Sequence, residues 1–268
     1  MNIREAAVIV TGSATGVGAA CVRQFAERGA RVAVNYNRSK AEADETADAC
    51  RALGAEVIVV QGDVADDGAC RAMVGAVVDR WGRLDALVNN AAMTVKSDPF
   101  DLETLSARDF QDVFSVNVIG AYQMCRAAIP AMRANGGGAI VNVSSNVAFT
   151  GGGSSLAYTA SKGALNALTM ALARTCGPDI RVNAVCPGVI DTRWMRQTLG
   201  TEAYAALAQR FSDQAPLGRV ATPEDVAGAV VWLVEGAEFI TGELLSVDGG
   251  VRLGGGVRKR ATGTGGGS

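Results

Sequence analysis

Short apolar runs alternate along the chain with longer stretches whose apolar residues recur at helical spacing. The runs fall at 7–10, 32–36, 57–60, 86–89, 139–143, 181–185 and 244–247. They are almost continuously apolar, which marks strands covered on both faces rather than strands with one wet side. The stretches of helical period fall near 17–28, 40–53, 67–81, 107–134, 156–175 and 223–234. This alternation predicts an α/β protein: one domain spanning 1–253, with a doubly wound parallel sheet of seven strands and helices on both faces. Two helix starts carry a hydroxyl three residues before a carboxylate, Ser39 with Glu42 and Thr222 with Asp225, the second with Pro223 at the first helical position. Segment 191–214 carries Trp194, Met195, Leu199, Tyr204, Leu207 and Phe211. It reads either as a lid or substrate wall or as an extra helix pair on the core. The Gly-rich end, 254–268, reads as a flexible tail outside the fold.

Composition narrows the chemistry. Of 268 residues, 49% are apolar and 19% charged, enough to bury a core and too little charge for a disordered chain. The 25 basic and 27 acidic residues leave a net charge of −2, without a basic block, so nucleic acid is not an expected partner. Histidine is absent, which removes imidazole-based triads and His-ligated metals. Acid–base work must fall to Tyr, Lys, Asp, Glu or Cys. The six cysteines, Cys21, Cys50, Cys70, Cys125, Cys176 and Cys186, form no Cys-x-x-Cys and suggest neither a zinc site nor a redox dithiol. No metal is expected, and the cysteines read as buried thiols of a reducing compartment. The N-terminus lacks a signal-peptide core, and the uncharged stretch 134–161 is broken by Gly, Ser and Asn, so a cytoplasmic protein with no membrane span is expected.

Three groups of residues carry candidate chemistry. The first strand empties into Thr11-Gly12-Ser13-Ala14-Thr15-Gly16-Val17-Gly18, a glycine-rich turn opening a helix. Gly12 can make the turn, Gly16 admits a pyrophosphate to the backbone N–H groups, and Gly18 lets helix and sheet approach. The second strand ends in Asn37-Arg38-Ser39, where a carboxylate would select NAD. Here a guanidinium fork and two donors suit a phosphate instead, which favours NADP (NADPH) as cofactor. The third group is Tyr158 and Lys162, four apart and therefore on one helix face. An ammonium beside a phenol favours the phenolate, which predicts a lowered Tyr158 pKa. Asn89-Asn90-Ala91, Asn117, Ser145 and Pro187-Gly188 fall at or near strand ends, where open α/β sheets bind ligands.

Taken in order, these motifs resemble those of the short-chain dehydrogenases/reductases, from Val8 to Gly250, with Asp63-Val64 and Asp248-Gly249-Gly250 among them. The resemblance implies a Rossmann-type fold and a catalytic tetrad of Asn117, Ser145, Tyr158 and Lys162. Ser145 is preferred to Ser144 because the family's serine usually lies 13 residues before its tyrosine, and 158 − 145 = 13. The resemblance further implies that Tyr158 protonates a carbonyl oxygen as hydride arrives, while Ser145 hydrogen-bonds that oxygen. Lys162 would hold the ribose and depress the tyrosine pKa, and Asn117 would position a water. Gly12, Ser13, Thr15, Gly16 and Val17 would meet the pyrophosphate side of the cofactor, Asp63 and Val64 the adenine, and Asn90 and Ala91 the adenosine ribose. Pro187, Gly188, Ile190 and Thr192 would flank the nicotinamide. Asn89 and Asp248 read as ties between loops.

Within the family the pattern at 34–39 is similar to NADP-dependent ketone and 3-oxoacyl reductases. The expected activity is reduction of a ketone or 3-oxoacyl-type carbonyl to a secondary alcohol, with Trp194 and Met195 as candidate pocket wall. The resemblance to the carrier-protein reductases implies basic residues that receive an acidic carrier, but these are sparse at 133–137 and 174–179, so a free small-molecule carbonyl or alcohol is expected at least equally with a carrier-bound one. The alternatives are an NAD-dependent dehydrogenase of a sugar, polyol or other secondary alcohol, and a non-catalytic dinucleotide sensor. A homotetramer, or a dimer, built on the two longest helices is expected by analogy.

Overall fold

In the computed structural model, which describes residues 1–98 and 100–254, all seven expected strands pair in parallel in the order β3-β2-β1-β4-β5-β6-β7. They are β1 (Ala7–Val10), β2 (Arg31–Tyr36), β3 (Val57–Gln61), β4 (Ala86–Asn89), β5 (Gly138–Val143), β6 (Ile180–Pro187) and β7 (Leu244–Val247). The predicted tail falls outside the described residues, apart from Gly254.

The period of two explains the layers. Val8 and Val10 of β1 point to one face with Val32, Val34, Val88 and Val141, while Ala7 and Ile9 point to the other with Leu87, Ile140 and Val182. The first face is covered by α1 (Gly16–Glu27), α2 (Lys40–Ala52) and α10 (Pro223–Glu235), and the second by α3 (Asp67–Trp81), α5 (Ala121–Ala134) and α7 (Leu156–Cys176). The molecule is therefore a single-domain Rossmann fold. Because β1 pairs with β2 on one side and β4 on the other, the direction of winding reverses between β1 and β4. In open α/β sheets such a reversal, at the carboxyl ends of the strands, marks the ligand-binding crevice.

The expected helix at 107–134 is not continuous. It comprises α4 (Ala107–Phe114), a π-helical segment Ser115–Gly120 and α5. Such a widened turn shifts the apolar stripe by about one residue, too short an interruption for the periodicity of a long segment to reveal. Asn117 lies within it. Ser106 and Asp109 form a capping box at the start of α4, and Thr222 and Asp225 form the predicted one at α10. The cap predicted at Ser39 is corrected: Ser39 precedes α2, but its hydroxyl makes no capping bond.

Segment 191–214 forms the extra helix pair α8 (Arg193–Leu199) and α9 (Thr201–Gln214), and α6 (Val147–Thr150) is a short turn after β5. At the opposite end of the sheet, buried Asp85 accepts hydrogen bonds from Ala7 N (2.8 Å), Arg83 Nε and Nη2 (2.8 and 2.7 Å) and Asn135 Nδ2 (2.7 Å). This carboxylate ties β1, the entry to β4 and the end of α5 together, away from the crevice. No described helix is long and apolar enough to cross a membrane.

Candidate active site

The glycine turn is held by side chains from three strands. Thr11 Oγ1 accepts from Asn90 N and Ala91 N at 3.0 Å each, and Asn90 Nδ2 donates to the carbonyls of Thr11 (2.9 Å) and Gly12 (3.0 Å). Gly12 N donates to Asn35 Oδ1 at 2.8 Å, and Ser13 Oγ donates to Val10 O at 2.7 Å. Asn35 Nδ2 donates onward to Gly62 O at 3.1 Å, so a buried amide in β2 fixes the turn against β3. Gly12 has φ +61°, and a Cβ there would lie 3.0 Å from Ala91 Cα. At Gly18 a Cβ would meet Asn90 Nδ2 and Gly12 O at 2.6 Å, which is why the helix can sit so near the strand only with glycine.

This turn fits a pyrophosphate. Thr15 makes no side-chain cap, the first turn of α1 carries no acidic residue, and a Cβ at Gly16 (φ +59°) would find only Thr192 Cγ2 at 3.9 Å. The N–H groups opening α1 are thus left to an external acceptor at the positive end of the helix dipole. Val17 is buried beside them.

Around this cradle lie the other predicted contacts. Asn37 Nδ2 donates to Asp63 Oδ2 at 2.8 Å, joining the ends of β2 and β3. Arg38 is exposed and has no carboxylate at ion-pair distance among the described residues. Val64 packs against the π-helical segment, and its carbonyl accepts from Gln123 Nε2 at 2.8 Å. Pro187 O accepts from Asn146 N at 2.8 Å, and Gly188 approaches Asp248 so closely that a Cβ would lie 3.0 Å from Asp248 Cβ. Ile190 bridges to Ala221, and Thr192 caps α8 by accepting from Met195 N at 3.2 Å. Asp248 accepts from Gly250 N and Arg252 N, tying the last loop. Asn89 Nδ2 donates to Asn142 Oδ1 at 2.9 Å inside the sheet.

Ser155 caps α7 by accepting from Tyr158 N at 3.1 Å, which sets the register of Tyr158 and Lys162. Lys162 is buried, donates from Nζ to Val143 O at 2.8 Å, and lies 5.5 Å from the Tyr158 ring centroid. Burial pushes the Tyr158 phenol up to about 12, opposed by its hydrogen bond with Ser145. Burial likewise pulls Lys162 down to about 8. The expected lowering of the tyrosine pKa is therefore corrected: desolvation dominates, and the ammonium points at a backbone carbonyl. Ser145 is the polar neighbour that opposes the rise of the phenol, its Oγ donating to Pro187 O at 3.5 Å and accepting from Val147 N at 3.3 Å, whereas Ser144 Oγ donates to Lys162 O at 3.3 Å.

Asn117 lies farther back. Its Oδ1 accepts from Met93 N (2.8 Å), and its Nδ2 donates to Met93 O (2.9 Å) and Ser161 Oγ (3.0 Å). Both amide hydrogens are used, so the side chain joins the β4 loop to α7 and leaves only a second lone pair to position a water.

Sequence reading missed Asn35 and the pairing of Thr94 Oγ1 with Ser154 Oγ at 2.6 Å, which joins the β4 loop to the strap before α7. An Asn inside the apolar run 32–36 was the available signal for the first. The second has none, because its partners lie 60 residues apart. Of the candidate wall residues, Met195 is half-buried, while the Trp194 side chain lies outside the described part of the structure. Tyr204 of α9 is buried under Arg196, whose guanidinium lies 5.0 Å from the ring and pairs with Asp191 at 2.8 Å.

A carboxyl-end crevice with a glycine cradle and a Ser/Tyr/Lys cluster defines a dinucleotide-dependent oxidoreductase. Residues 12–252 match the family model described as Enoyl-(Acyl carrier protein) reductase. The chain is 40% identical over 245 residues to a Streptomyces violaceoruber protein named "Granaticin polyketide synthase putative ketoacyl reductase 2", covering 91% of this chain and 95% of the relative. It is 37% identical over 244 residues to 2-(R)-hydroxypropyl-CoM dehydrogenase of Xanthobacter autotrophicus, covering 90% and 96%. The crystal structure of levodione reductase superposes with a TM-score of 0.85 at 29% identity, covering 92% of this chain and 97% of that one. The chain belongs to the short-chain dehydrogenase/reductase family, and it is an oxidoreductase of CH–OH/C=O groups.

Proposed function

We propose that the protein is an NADPH-dependent reductase that converts a ketone or 3-oxoacyl-type carbonyl of a small molecule to a secondary alcohol. The observation that carries this reading is that Tyr158 and Lys162, 5.5 Å apart from ring centroid to Nζ, and Ser145 after β5 belong to the same carboxyl end of the sheet as the open N-terminus of α1. Gly12, Ser13, Thr15, Gly16 and Val17 hold the pyrophosphate, Asp63, Val64, Asn90 and Ala91 the adenosine, and Pro187, Gly188, Ile190 and Thr192 the nicotinamide half. Asn37, Arg38 and Ser39 accept the 2′-phosphate, supported by an exposed Arg38 without an acidic partner among the described residues and a Ser39 hydroxyl not used for capping. The bound dinucleotide supplies the hydride.

The chain supplies the proton. With its pKa raised, Tyr158 is fully protonated at neutral pH and donates to the carbonyl oxygen as that oxygen gains charge. Ser145 donates a second hydrogen bond to the same oxygen, an effect of roughly 3 kcal/mol for one well-aimed donor. Lys162 binds the ribose hydroxyls, and its charge then stabilises the phenolate left behind. Asn117 is a positioning residue, holding Met93 and Ser161 and, through its free lone pair, a water of the proton path.

Replacing Tyr158 by Phe is expected to lower kcat at least 100-fold while NADPH binding, followed by fluorescence, stays within about threefold. Loss of binding alongside activity would overturn the assigned role. The names of the ketoacyl and levodione reductases support the reductive direction. The name of the hydroxypropyl-CoM dehydrogenase supports alcohol oxidation as a second reading, for which NAD is the expected cofactor. NADPH and NADH assayed against an acetoacetyl thioester, an aryl ketone, a vicinal diketone and secondary alcohols separate the two. We further propose a cytoplasmic homotetramer, supported by the exposed apolar residues on α4, the π-helical segment, α5, α7 and α10.

A further inference from the structure

The start of α8 lies across the lip of the crevice from α2. Arg193 places Nη2 3.3 Å from Glu42 Oε1, a contact between residues 151 apart in the chain. The preceding residue, Thr192, sits against Gly16. One short stretch thus touches both the pyrophosphate cradle and the helix that follows Asn37-Arg38-Ser39. Glu42 is the only acidic residue in the first turn of α2, four positions beyond Arg38. Lys40 is paired with Asp44 at 2.6 Å, and Asp63 is turned toward Asn37. With these pairs closed, Arg38 is the cation of this lip left without a carboxylate partner among the described residues.

We propose that Arg193 is a positioning residue for cofactor selectivity, neutralising Glu42 so that the α2 lip accepts the 2′-phosphate of NADPH. The proposal rests on the NADPH reading above. A carboxylate near the end of the second strand repels a 2′-phosphate and selects NAD, and Glu42 without its partner is such a carboxylate. The exposed ion pair contributes little to stability. Its effect lies in where it leaves charge when a phosphate dianion arrives, and salt screens that effect.

The test is fluorescence titration of NADPH and of NADH against wild type, Arg193→Met, Glu42→Gln, the double variant and Arg38→Ala, at low salt and at 1 M salt. All three positions are exposed or half-exposed, and circular dichroism verifies the fold. Arg193→Met is expected to raise the NADPH Kd about three- to tenfold at low salt and leave the NADH Kd within about twofold. The double variant should recover NADPH binding, and the difference should shrink at high salt. If Arg38→Ala weakens NADPH binding and Arg193→Met does not, this role for Arg193 is wrong while the cofactor reading stands. If neither matters, the cofactor reading itself fails. Equal weakening toward both cofactors without rescue by Glu42→Gln would mean that Arg193 touches the shared pyrophosphate, which overturns neutralisation as its role.

Discussion

At the scale of single residues, the site separates into groups whose chemistry is local and groups whose role exists only in three dimensions. Lys162 belongs to the first and carries a pH signature. Buried, it loses its proton near pH 8 in the folded chain, against an ordinary value of 10.5. Between those values the unfolded chain binds more protons, so this residue makes stability rise with pH. Tyr158 acts oppositely, its raised pKa costing stability only above its ordinary value of 10. Wild type should therefore gain about 2 kcal/mol relative to Lys162→Met between pH 8 and 10, measured by urea unfolding of both at each pH. The comparison cancels the opposing contribution of the buried cysteines. A constant difference across that window would mean that Lys162 keeps its charge on burial. The Tyr158/Lys162 pair and the glycine turn were legible in the sequence, because a four-residue spacing and a strand-to-helix junction are local. The sign of the tyrosine shift was not, since it depends on a desolvation that only the packed fold reveals.

At the scale of elements, apolar periodicity located all seven strands and the main helices because burial on two faces imposes it directly. Asn89 and Asp248 were legible as polar ties, but others between elements escaped. Asn35 is one, holding the glycine turn from β2, and Asp85 is another. The π-helical turn at Ser115–Gly120 escaped for a different reason, one widened turn being too short to show against the apolar period on either side of it. Asp85 tests whether such ties carry stability independently of function. Asp85→Ala leaves Ala7 N, Asn135 Nδ2 and the Arg83 guanidinium without their shared acceptor. The expected cost is about 3 kcal/mol, read as a lower urea midpoint. NADPH affinity should be unchanged, because this cluster sits at the opposite end of the sheet from the crevice. A large loss of affinity would show that the two ends of the sheet are coupled.

At the scale of the whole molecule, the five inner strands bury their apolar residues almost completely and the edge strands β3 and β7 half-bury theirs, which makes the large apolar side chains left outside informative. Phe110, Ile119, Tyr122 and Met170 are exposed on α4, the π-helical segment, α5 and α7, while Trp232 and Phe239 are exposed on and just after α10. Scattered apolar side chains need no explanation, but Phe239 is wholly exposed and Trp232 nearly half so. Large aromatics open to water at two separate places favour two interfaces over one. Two different two-fold interfaces, repeated, close into a tetramer with dihedral symmetry. If that is the assembly, Trp232→Glu combined with Phe239→Glu should remove one interface and leave the other, halving the mass measured by light scattering. The dimer that remains should keep NADPH binding, since neither residue lies near the crevice. A wild-type mass of one chain would overturn both interfaces together. An unchanged tetramer in the double variant would place the second interface elsewhere than α10.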